Sequence, residues 1–426
     1  MSLMGECSGT ERMLTALLDA SHLAGFEQVP SLVAEHAARA GLRDVVIFLA
    51  DLQQEILRPV VVTGAAASGP TAAELSELKI DATLAGRAFQ EVRFLRTGGE
   101  AGPICWWVPL LDGTERLGVL RVTTDTADPA CKEAMRALSA LVAMEIVCTR
   151  WYSDSYARLV RTRPMNVAAE MCWNIMPPLT FANGELMIAG ALEPAYQIGG
   201  DAFDYSIAGD TAHLAIFDAM GHDVRAGMTA NLALAVCRNR RREGDGLAAT
   251  SVAAERTLID EFGRETRFVT AILADLDTVT GRLTWINRGH HPPVLIRGGR
   301  HPGLLCCPPS HPLGLDLGVP VTMCEEQLEP GDRVLLYTDG ITEARSRHGQ
   351  EFGLDRFVDF IIRHSADGLP INETLRRLVR GVLEYHEGRL QDDATVLVAE
   401  WRGAARQVLG EFGDAAGTST ATSGAL

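Results

Sequence analysis

Four acidic motifs lie beside predicted strands in the second predicted domain of the chain, and they constrain its fold more than any other feature. Each motif follows or precedes an apolar segment with strand-like composition. Strand ends lie close together when the strands share a sheet, so the sequence predicts that these carboxylates converge at one edge. The motifs are Gly199-Gly200-Asp201, Asp218-Ala219-Met220-Gly221-His222-Asp223, Tyr337-Thr338-Asp339-Gly340 and Gln391-Asp392-Asp393-Ala394-Thr395.

Converging carboxylates repel one another unless some are protonated or a cation binds between them. Oxygen ligands without cysteine, and without a histidine pair at metal-binding spacing, favour Mg²⁺ or Mn²⁺ over Zn²⁺. Two such ions about 3.5–4 Å apart suit phosphate-ester hydrolysis, because they lower the pKa of a shared water and offset phosphoryl charge. A single Asp-Gly pair usually indicates only a turn, so the prediction depends on the four motifs occurring together.

The pattern of predicted elements around these motifs indicates two packed sheets. Strand hairpins are predicted at 204–218 and 268–287, with paired helices between them at 223–241 and 247–262. Two further helices are predicted at 354–364 and 372–386. This order favours sheet-on-sheet packing flanked by helices over a repeated strand–helix–strand arrangement.

The motifs resemble, in the same order, those of the metal-dependent serine/threonine protein phosphatases of the PPM type, and most closely the bacterial SpoIIE-like branch. The resemblance covers about 178–401 and implies a PPM α/β/β/α sandwich with a binuclear Mn²⁺ or Mg²⁺ centre at one end. The matching segments are Gly199-Gly200-Asp201, Asp218-Ala219-Met220-Gly221-His222, Asn287-Arg288-Gly289-His290, Pro312-Leu313-Gly314-Leu315, Tyr337-Thr338-Asp339-Gly340-Ile341-Thr342-Glu343-Ala344 and Asp392-Asp393-Ala394-Thr395.

The resemblance also implies roles for individual residues. Asp218 corresponds to the bridging ligand of both metals, with the Ala219 carbonyl beside it, and Asp339 and Asp392 correspond to ligands of one metal. Asp201 corresponds to the acidic residue of the first motif, which acts at the metal edge directly or through water. We therefore assign Asp201 and Asp218 as catalytic. Asp393 is the second choice to Asp392, because two adjacent aspartates leave the register ambiguous.

The family's substrates imply the reaction and the partner. We expect hydrolysis of phosphoserine or phosphothreonine in a protein, often a small anti-sigma-factor antagonist, by a water bridged between the two metals that attacks phosphorus in line with the leaving oxygen.

Several residues depart from the family pattern or carry titratable groups near it. Asp223 stands where the family usually has a small residue, and it could disturb the site or add a ligand. Arg288 replaces a more common alanine; we expect an exposed, salt-bridging side chain, with phosphate binding as the alternative. His290 and His291 could titrate near neutrality, although a structural role is favoured. His222 is expected to begin a helix and not to bind metal.

The first part of the chain resembles a GAF sensor domain, so the fold class is α+β throughout. The domain boundaries predicted are 1–150 for the GAF-like domain, 151–178 for a helical linker, 179–402 for the PPM domain and 403–426 for a disordered tail. A connecting helix is predicted over 157–176.

Four apolar positions in the helix that precedes this linker could form a homodimer seam or cover the sensor sheet; they are Leu138, Leu141, Val142 and Ile146. The GAF resemblance rests on 45–51, 86–89, 108–111 and 117–120.

Two other functions remain open from the sequence. Gly199-Gly200-Asp201-Ala202-Phe203 resembles the Gly-Gly-Asp-Glu-Phe hairpin of diguanylate cyclases, but Ala202 replaces the carboxylate that would act with the metal. A phosphatase-like module that only docks a phosphoprotein is the other alternative, and Asp223 keeps it open.

Charge and cysteine content exclude several classes of partner and site. The formal net charge of −16 argues against nucleic acid and acidic membranes as partners. The nine cysteines include no C-x-x-C pair, which predicts free or buried thiols in a reducing compartment. The chain has neither a secretory signal pattern near its start nor an apolar stretch of about 20 residues. We therefore expect a soluble, cytoplasmic protein.

Overall fold

The computed structural model describes residues 8–61, 76–98, 102–197, 199–263, 267–299, 301–366, 369–386, 390 and 392–403. Gln391 and residues 404–426 of the predicted tail lie outside the described residues. The chain forms two compact units, which divide between Thr162 and Arg163. In the described part of the chain, no helix is long and apolar enough to cross a membrane.

In the described residues, the first unit contains one antiparallel sheet of six strands, in the order β3-β2-β1-β6-β5-β4, together with five α-helices. The strands β5 and β6 form the hairpin predicted at Asp112-Gly113. The elements are α1 (Gly9–Ser21), α2 (Val29–Ala37), β1 (Arg43–Ala50), β2 (Ile56–Pro59), β3 (Leu78–Lys79), α3 (Leu84–Glu91), β4 (Leu95–Thr97), β5 (Ile104–Asp112), β6 (Glu115–Thr124), α4 (Pro129–Arg150) and α5 (Asp154–Val160).

The proposed dimer seam on α4 is not a surface feature. Its four positions, 138, 141, 142 and 146, are all less than 8% exposed and belong to the hydrophobic core of the first unit. The side chains cover the sheet of this unit, as the alternative interpretation allowed.

The predicted connecting helix over 157–176 is wrong as a single element. It consists of α5 in the first unit and α6 (Val167–Ile175) in the second, with a break between them. Pro164 disfavours a helical conformation at Arg163. Asn166 then starts the next helix, because its side chain accepts a hydrogen bond of 2.7 Å from the backbone N–H of Ala169.

The second unit has two antiparallel sheets between two layers of helices. One sheet has the order β15-β12-β11-β10-β9 and the other has the order β14-β13-β16-β17-β8-β7. After α6, the elements are β7 (Thr180–Ala182), β8 (Leu186–Glu193), β9 (Asp201–Ala208), β10 (Thr211–Ala219), α7 (Val224–Arg242), α8 (Leu247–Phe262), β11 (Val269–Asp277), β12 (Arg282–Arg288), β13 (Val294–Arg297), β14 (His301–Leu304), β15 (Met323–Gln327), β16 (Arg333–Tyr337), α9 (Asp339–Thr342), α10 (Leu354–Ala366), α11 (Ile371–Tyr385) and β17 (Ala394–Trp401).

Alternating side chains explain the layers. On β17, Leu397 and Ala399 pack against the five-stranded sheet, whereas Val396 and Val398 pack with α10 and α11. The helices α7 and α8 cover the outer face of the five-stranded sheet. The α/β/β/α sandwich predicted from the sequence is therefore confirmed.

A disulfide joins Cys307 to Cys324 on β15, so the expectation of free thiols is wrong for this pair. The two residues are 17 positions apart and belong to no recognisable spacing motif. The other described cysteines form no disulfide; they are Cys105, Cys131, Cys148, Cys172, Cys237 and Cys306.

Candidate metal centre

The first two predicted site residues lie side by side on adjacent strands. Asp201 begins β9 and Asp218 is the penultimate residue of β10, and the two are paired in the antiparallel register. Directly opposed residues present their side chains on the same face of a sheet. Ala219, the last residue of β10, donates its N–H to the carbonyl of Gly200 over 3.1 Å.

The third residue, Asp339, comes from the other sheet. It opens the single turn of α9 directly after β16. Its neighbour Thr338 donates its hydroxyl hydrogen to Asp201 Oδ2 over 2.6 Å, which connects the second sheet to the first. Gly340 lies so close to the next motif that a Cβ there would be 1.9 Å from the Asp393 carbonyl oxygen, so only glycine fits.

The adjacent aspartates 392 and 393 have different environments. Asp393 is buried, and its Oδ2 accepts hydrogen bonds from the backbone N–H groups of Gly199, Gly200 and Asp201 over 2.7, 2.7 and 3.1 Å. This carboxylate therefore fixes the loop that carries Asp201. Asp392 is exposed, and Asp339 acts on it electrostatically.

The two glycines of the first motif allow close backbone packing. A Cβ on Gly200 would lie 2.4 Å from the Ala219 carbonyl oxygen, and one on Gly199 would lie 2.5 Å from Cα of His222. The motif is thus the entry to β9, while the turn between β9 and β10 lies at Gly209 and Asp210. This placement is unlike a Gly-Gly-Asp hairpin turn and removes the basis for the cyclase interpretation.

Burial and mutual repulsion raise the pKa values of the carboxylates in the cluster. Burial first, and then the charges of Asp339, Asp392 and Asp393, raise the pKa of Asp218 to about 7. Burial, with Asp393 and Asp218 nearby, raises the pKa of Asp201 well above its usual range. The strongest charges acting on Asp218 are all carboxylates, and they disfavour its ionised form.

The donor chemistry fits hard divalent cations. Four carboxylates and the Ala219 carbonyl offer only oxygen, the ligand that Mg²⁺ and Mn²⁺ prefer. The nearby thiol of Cys172 is no competitor, because burial raises its pKa and keeps it protonated. As the side chains stand, no three acidic, histidine or cysteine residues in the described part of the chain form a ready-made metal-binding group. The carboxylates are gathered, but they do not converge on one point.

Asp223 and His222 lie beside the centre without joining it. Asp223 is the N-cap of α7, and its carboxylate accepts a 2.8 Å hydrogen bond from the backbone N–H of Ala226. That hydrogen bond lowers the pKa of Asp223. His222 is exposed, and its charge lowers the pKa of Asp392. The N-cap hydrogen bond therefore explains the presence of Asp223 without a role as a metal ligand.

Arg288 is a correction to the sequence analysis. We expected an exposed side chain, but Arg288 is 0% exposed and donates to Glu255 Oε2 on α8 over 2.7 Å. The same carboxylate accepts from His311 Nε2 over 2.5 Å. Arg288 is thus part of a buried ion pair between a helix and the sheet, directed away from the carboxylate cluster.

The structure adds residues that sequence reasoning missed. Thr338 donates to Asp201, and Thr270 is paired with Asp218 across β10 and β11. Asp393, which was the second choice to Asp392, holds the loop at 199–201. Thr338 precedes Asp339 in its motif, and this adjacency was the available signal. Thr270 gave no signal, because its proximity to Asp218 arises from strand pairing over 52 residues.

A cavity of about 330 Å³ adjoins Asp339 and Asp392. Its lining includes Arg345 and His386, which bring cationic or hydrogen-bonding groups to the edge of the cluster.

Comparison with known proteins shows what this part of the chain is similar to. The model of the family "Stage II sporulation protein E (SpoIIE)" matches residues 208–402, which include Asp218, Asp339 and Asp392 but not Asp201. Protein IcfG of Synechocystis sp. is 25% identical over 245 residues, covering 50% of this chain and 38% of IcfG. Phosphoserine phosphatase RsbU of Bacillus subtilis is 22% identical over 224 residues, covering 50% of this chain and 63% of RsbU. The chain thus spans less than two thirds of either relative.

Among solved structures, the RsbU and RsbW domains of Rv1364c from Mycobacterium tuberculosis are similar to this chain. The sequence identity is 25%, the TM-score is 0.46, and the match covers 54% of this chain and 62% of that one.

Proposed function

We propose that this chain, whose residues 208–402 match the SpoIIE family model, is a metal-dependent phosphatase that hydrolyses phosphoserine or phosphothreonine in a protein. The observation that carries the proposal is the gathering of Asp201 and Asp218 from one sheet with Asp339 and Asp392 from the other. This cluster is electrostatically unfavourable by itself and becomes favourable around divalent cations.

Asp218, Asp339 and Asp392, with the Ala219 carbonyl, are the residues that would hold two Mn²⁺ or Mg²⁺ ions. Bound ions of this kind lower the pKa of a water and offset the charge on phosphoryl oxygens. Asp201 acts at the edge of the centre, and Thr338 fixes its orientation through the 2.6 Å hydrogen bond. Asp393 holds the loop from 199 to 201 in place.

Two observations support the proposed substrate class: the name of one relative and the residues that line the cavity. RsbU is named as a phosphoserine phosphatase, and the cavity beside Asp339 and Asp392 opens to an Arg345 side chain that can attract a phosphate. We propose a small phosphorylated anti-sigma-factor antagonist as the natural substrate. We also propose that the first unit is a GAF-like sensor that regulates the second.

Phosphate release from a phosphoserine protein tests the proposal. We expect activity from the full chain with Mn²⁺ and none in EDTA. Absence of both Mn²⁺ binding and phosphate release would instead favour a module that only docks a phosphoprotein. Comparing the full chain with residues 163–403 tests the sensor role, and equal rates would contradict regulation by the first unit.

A further inference from the structure

His290 connects the two sheets beneath the carboxylate cluster. The residue follows β12 and is 7% exposed. Its Nδ1 lies 2.7 Å from Thr270 Oγ1 on β11, in the five-stranded sheet. Its Nε2 lies 3.0 Å from the carbonyl oxygen of Tyr337, the last residue of β16 in the six-stranded sheet. The imidazole ring therefore joins both sheets at the level of the candidate centre.

The backbone of His290 is itself held in place. Asn287 accepts the His290 N–H over 2.8 Å and donates to the His290 carbonyl over 2.9 Å. Because the Asn287 side chain binds both backbone groups of His290, the Cα from which the imidazole ring extends is held in place. From this position the ring extends to Thr270 and Tyr337.

The directions of the hydrogen bonds follow from the groups involved. A carbonyl only accepts, so Nε2 carries a hydrogen and donates to Tyr337. Burial and the neighbouring His291 lower the pKa of His290 to about 4, so the ring is neutral and Nδ1 accepts. The Thr270 hydroxyl therefore donates its one hydrogen to His290 at 2.7 Å, and not to Asp218 Oδ2 at 3.5 Å. The Asp218 oxygens stay available to a cation.

Each end of this bridge lies next to a candidate ligand. Thr270 is paired with Asp218 across β10 and β11. Tyr337 is two residues before Asp339. We propose that His290 and Thr270 are positioning residues that set the spacing between Asp218 and Asp339 for a divalent cation. The inference rests on the proposed metal-dependent function.

Paired substitutions separate positioning from simple support of the core. His290→Gln can keep an amide N–H near the position of Nε2, whereas His290→Asn keeps only an acceptor near Nδ1. Thr270→Ser keeps the hydroxyl, and Thr270→Val removes it. His213→Asn is the matched control, because His213 pairs with Asp275 toward the far end of the same strands.

The measurements are Mn²⁺ affinity of the full chain by calorimetry and thermal unfolding in EDTA. We expect His290→Asn and Thr270→Val to weaken Mn²⁺ binding about 10–100-fold, the range for residues that orient metal ligands. Thr270→Ser and His213→Asn should stay within about 3-fold of the original chain, whereas His290→Gln, which keeps only the link to Tyr337, should lose affinity as Thr270→Val does.

Two outcomes overturn the inference while leaving the proposed function intact. One is unchanged Mn²⁺ affinity in His290→Asn and Thr270→Val. The other is an equal loss of affinity in His213→Asn or in Thr270→Ser, which would show a general effect of destabilisation. If the original chain binds no Mn²⁺, the proposed function fails and the positioning role fails with it.

Discussion

Asp201 and Asp218 are directly opposite each other on the antiparallel strands β9 and β10, so two carboxylates share one face of the sheet. The charge of Asp218 raises the pKa of Asp201, and the Thr338 hydroxyl, which donates from the other sheet, acts in the opposite direction. Repulsion between two such carboxylates destabilises the metal-free fold. The proposed divalent cations would offset this repulsion.

Replacing the central carboxylate should abolish activity. Asp218→Asn removes the charge that would hold both metals, so Mn²⁺-dependent phosphate release should fall by at least about 100-fold, beyond the usual cost of losing a residue that only orients a ligand. The control is Asp223→Asn, because asparagine caps a helix as well as aspartate does. The control should keep its activity. Full activity in Asp218→Asn would contradict the metal assignment.

The metal-free protein should lose stability as pH rises. The folded pKa of Asp218, about 7, exceeds its ordinary value of 3.8, so between these values the folded state holds a proton that the unfolded chain releases. The free energy of unfolding therefore decreases with pH in this window, by up to about 4 kcal/mol from Asp218 alone.

Urea unfolding in EDTA from pH 4 to pH 8 measures this effect. Asp218→Asn should match the original chain near pH 4 and become progressively more stable than it towards pH 8. A constant difference across the range would show that Asp218 ionises normally in the folded state. Saturating Mn²⁺ should remove most of the pH dependence in the original chain, because bound cations favour the ionised carboxylates.

The order of the acidic motifs predicted which carboxylates come together, since each motif stands at the end of a strand. The choice between Asp392 and Asp393 could not be made from the sequence. Adjacent residues in an extended segment point to opposite sides, and only the position of the loop at 199–201 shows which one is turned inward.

Contacts between residues distant in sequence account for the other errors. Arg288 was predicted to be exposed because arginine rarely enters a core without a partner. Its partner, Glu255, lies 33 residues away on α8 and is not evident from the sequence. The break between α5 and α6 was different, because Pro164 was a local signal for it. The hydrophobic pattern on either side nevertheless suggested one continuous helix.

Asp393 should support the stability of the fold, whereas the adjacent Asp392 should support metal binding. Asp393→Ala leaves the N–H groups of Gly199, Gly200 and Asp201 without their acceptor, at about 1–3 kcal/mol for each buried group. We therefore expect a loss of at least about 3 kcal/mol in urea unfolding with EDTA. Asp392→Ala should leave this stability nearly unchanged and weaken Mn²⁺ binding in calorimetry. The reverse pattern would exchange the two assignments.

The buried pair of Arg288 and Glu255 should matter for stability and not for metal binding. Glu255→Gln leaves the Arg288 charge buried without a counter-ion, which should cost about 3–5 kcal/mol of unfolding free energy. The matched control is Glu351→Gln, which breaks an exposed pair with Arg345 and should cost less than about 1 kcal/mol. Urea unfolding measures both. Equal small losses would show that the guanidinium group of Arg288 finds water or another acceptor, and a large drop in Mn²⁺ affinity in Glu255→Gln would connect this pair to the centre.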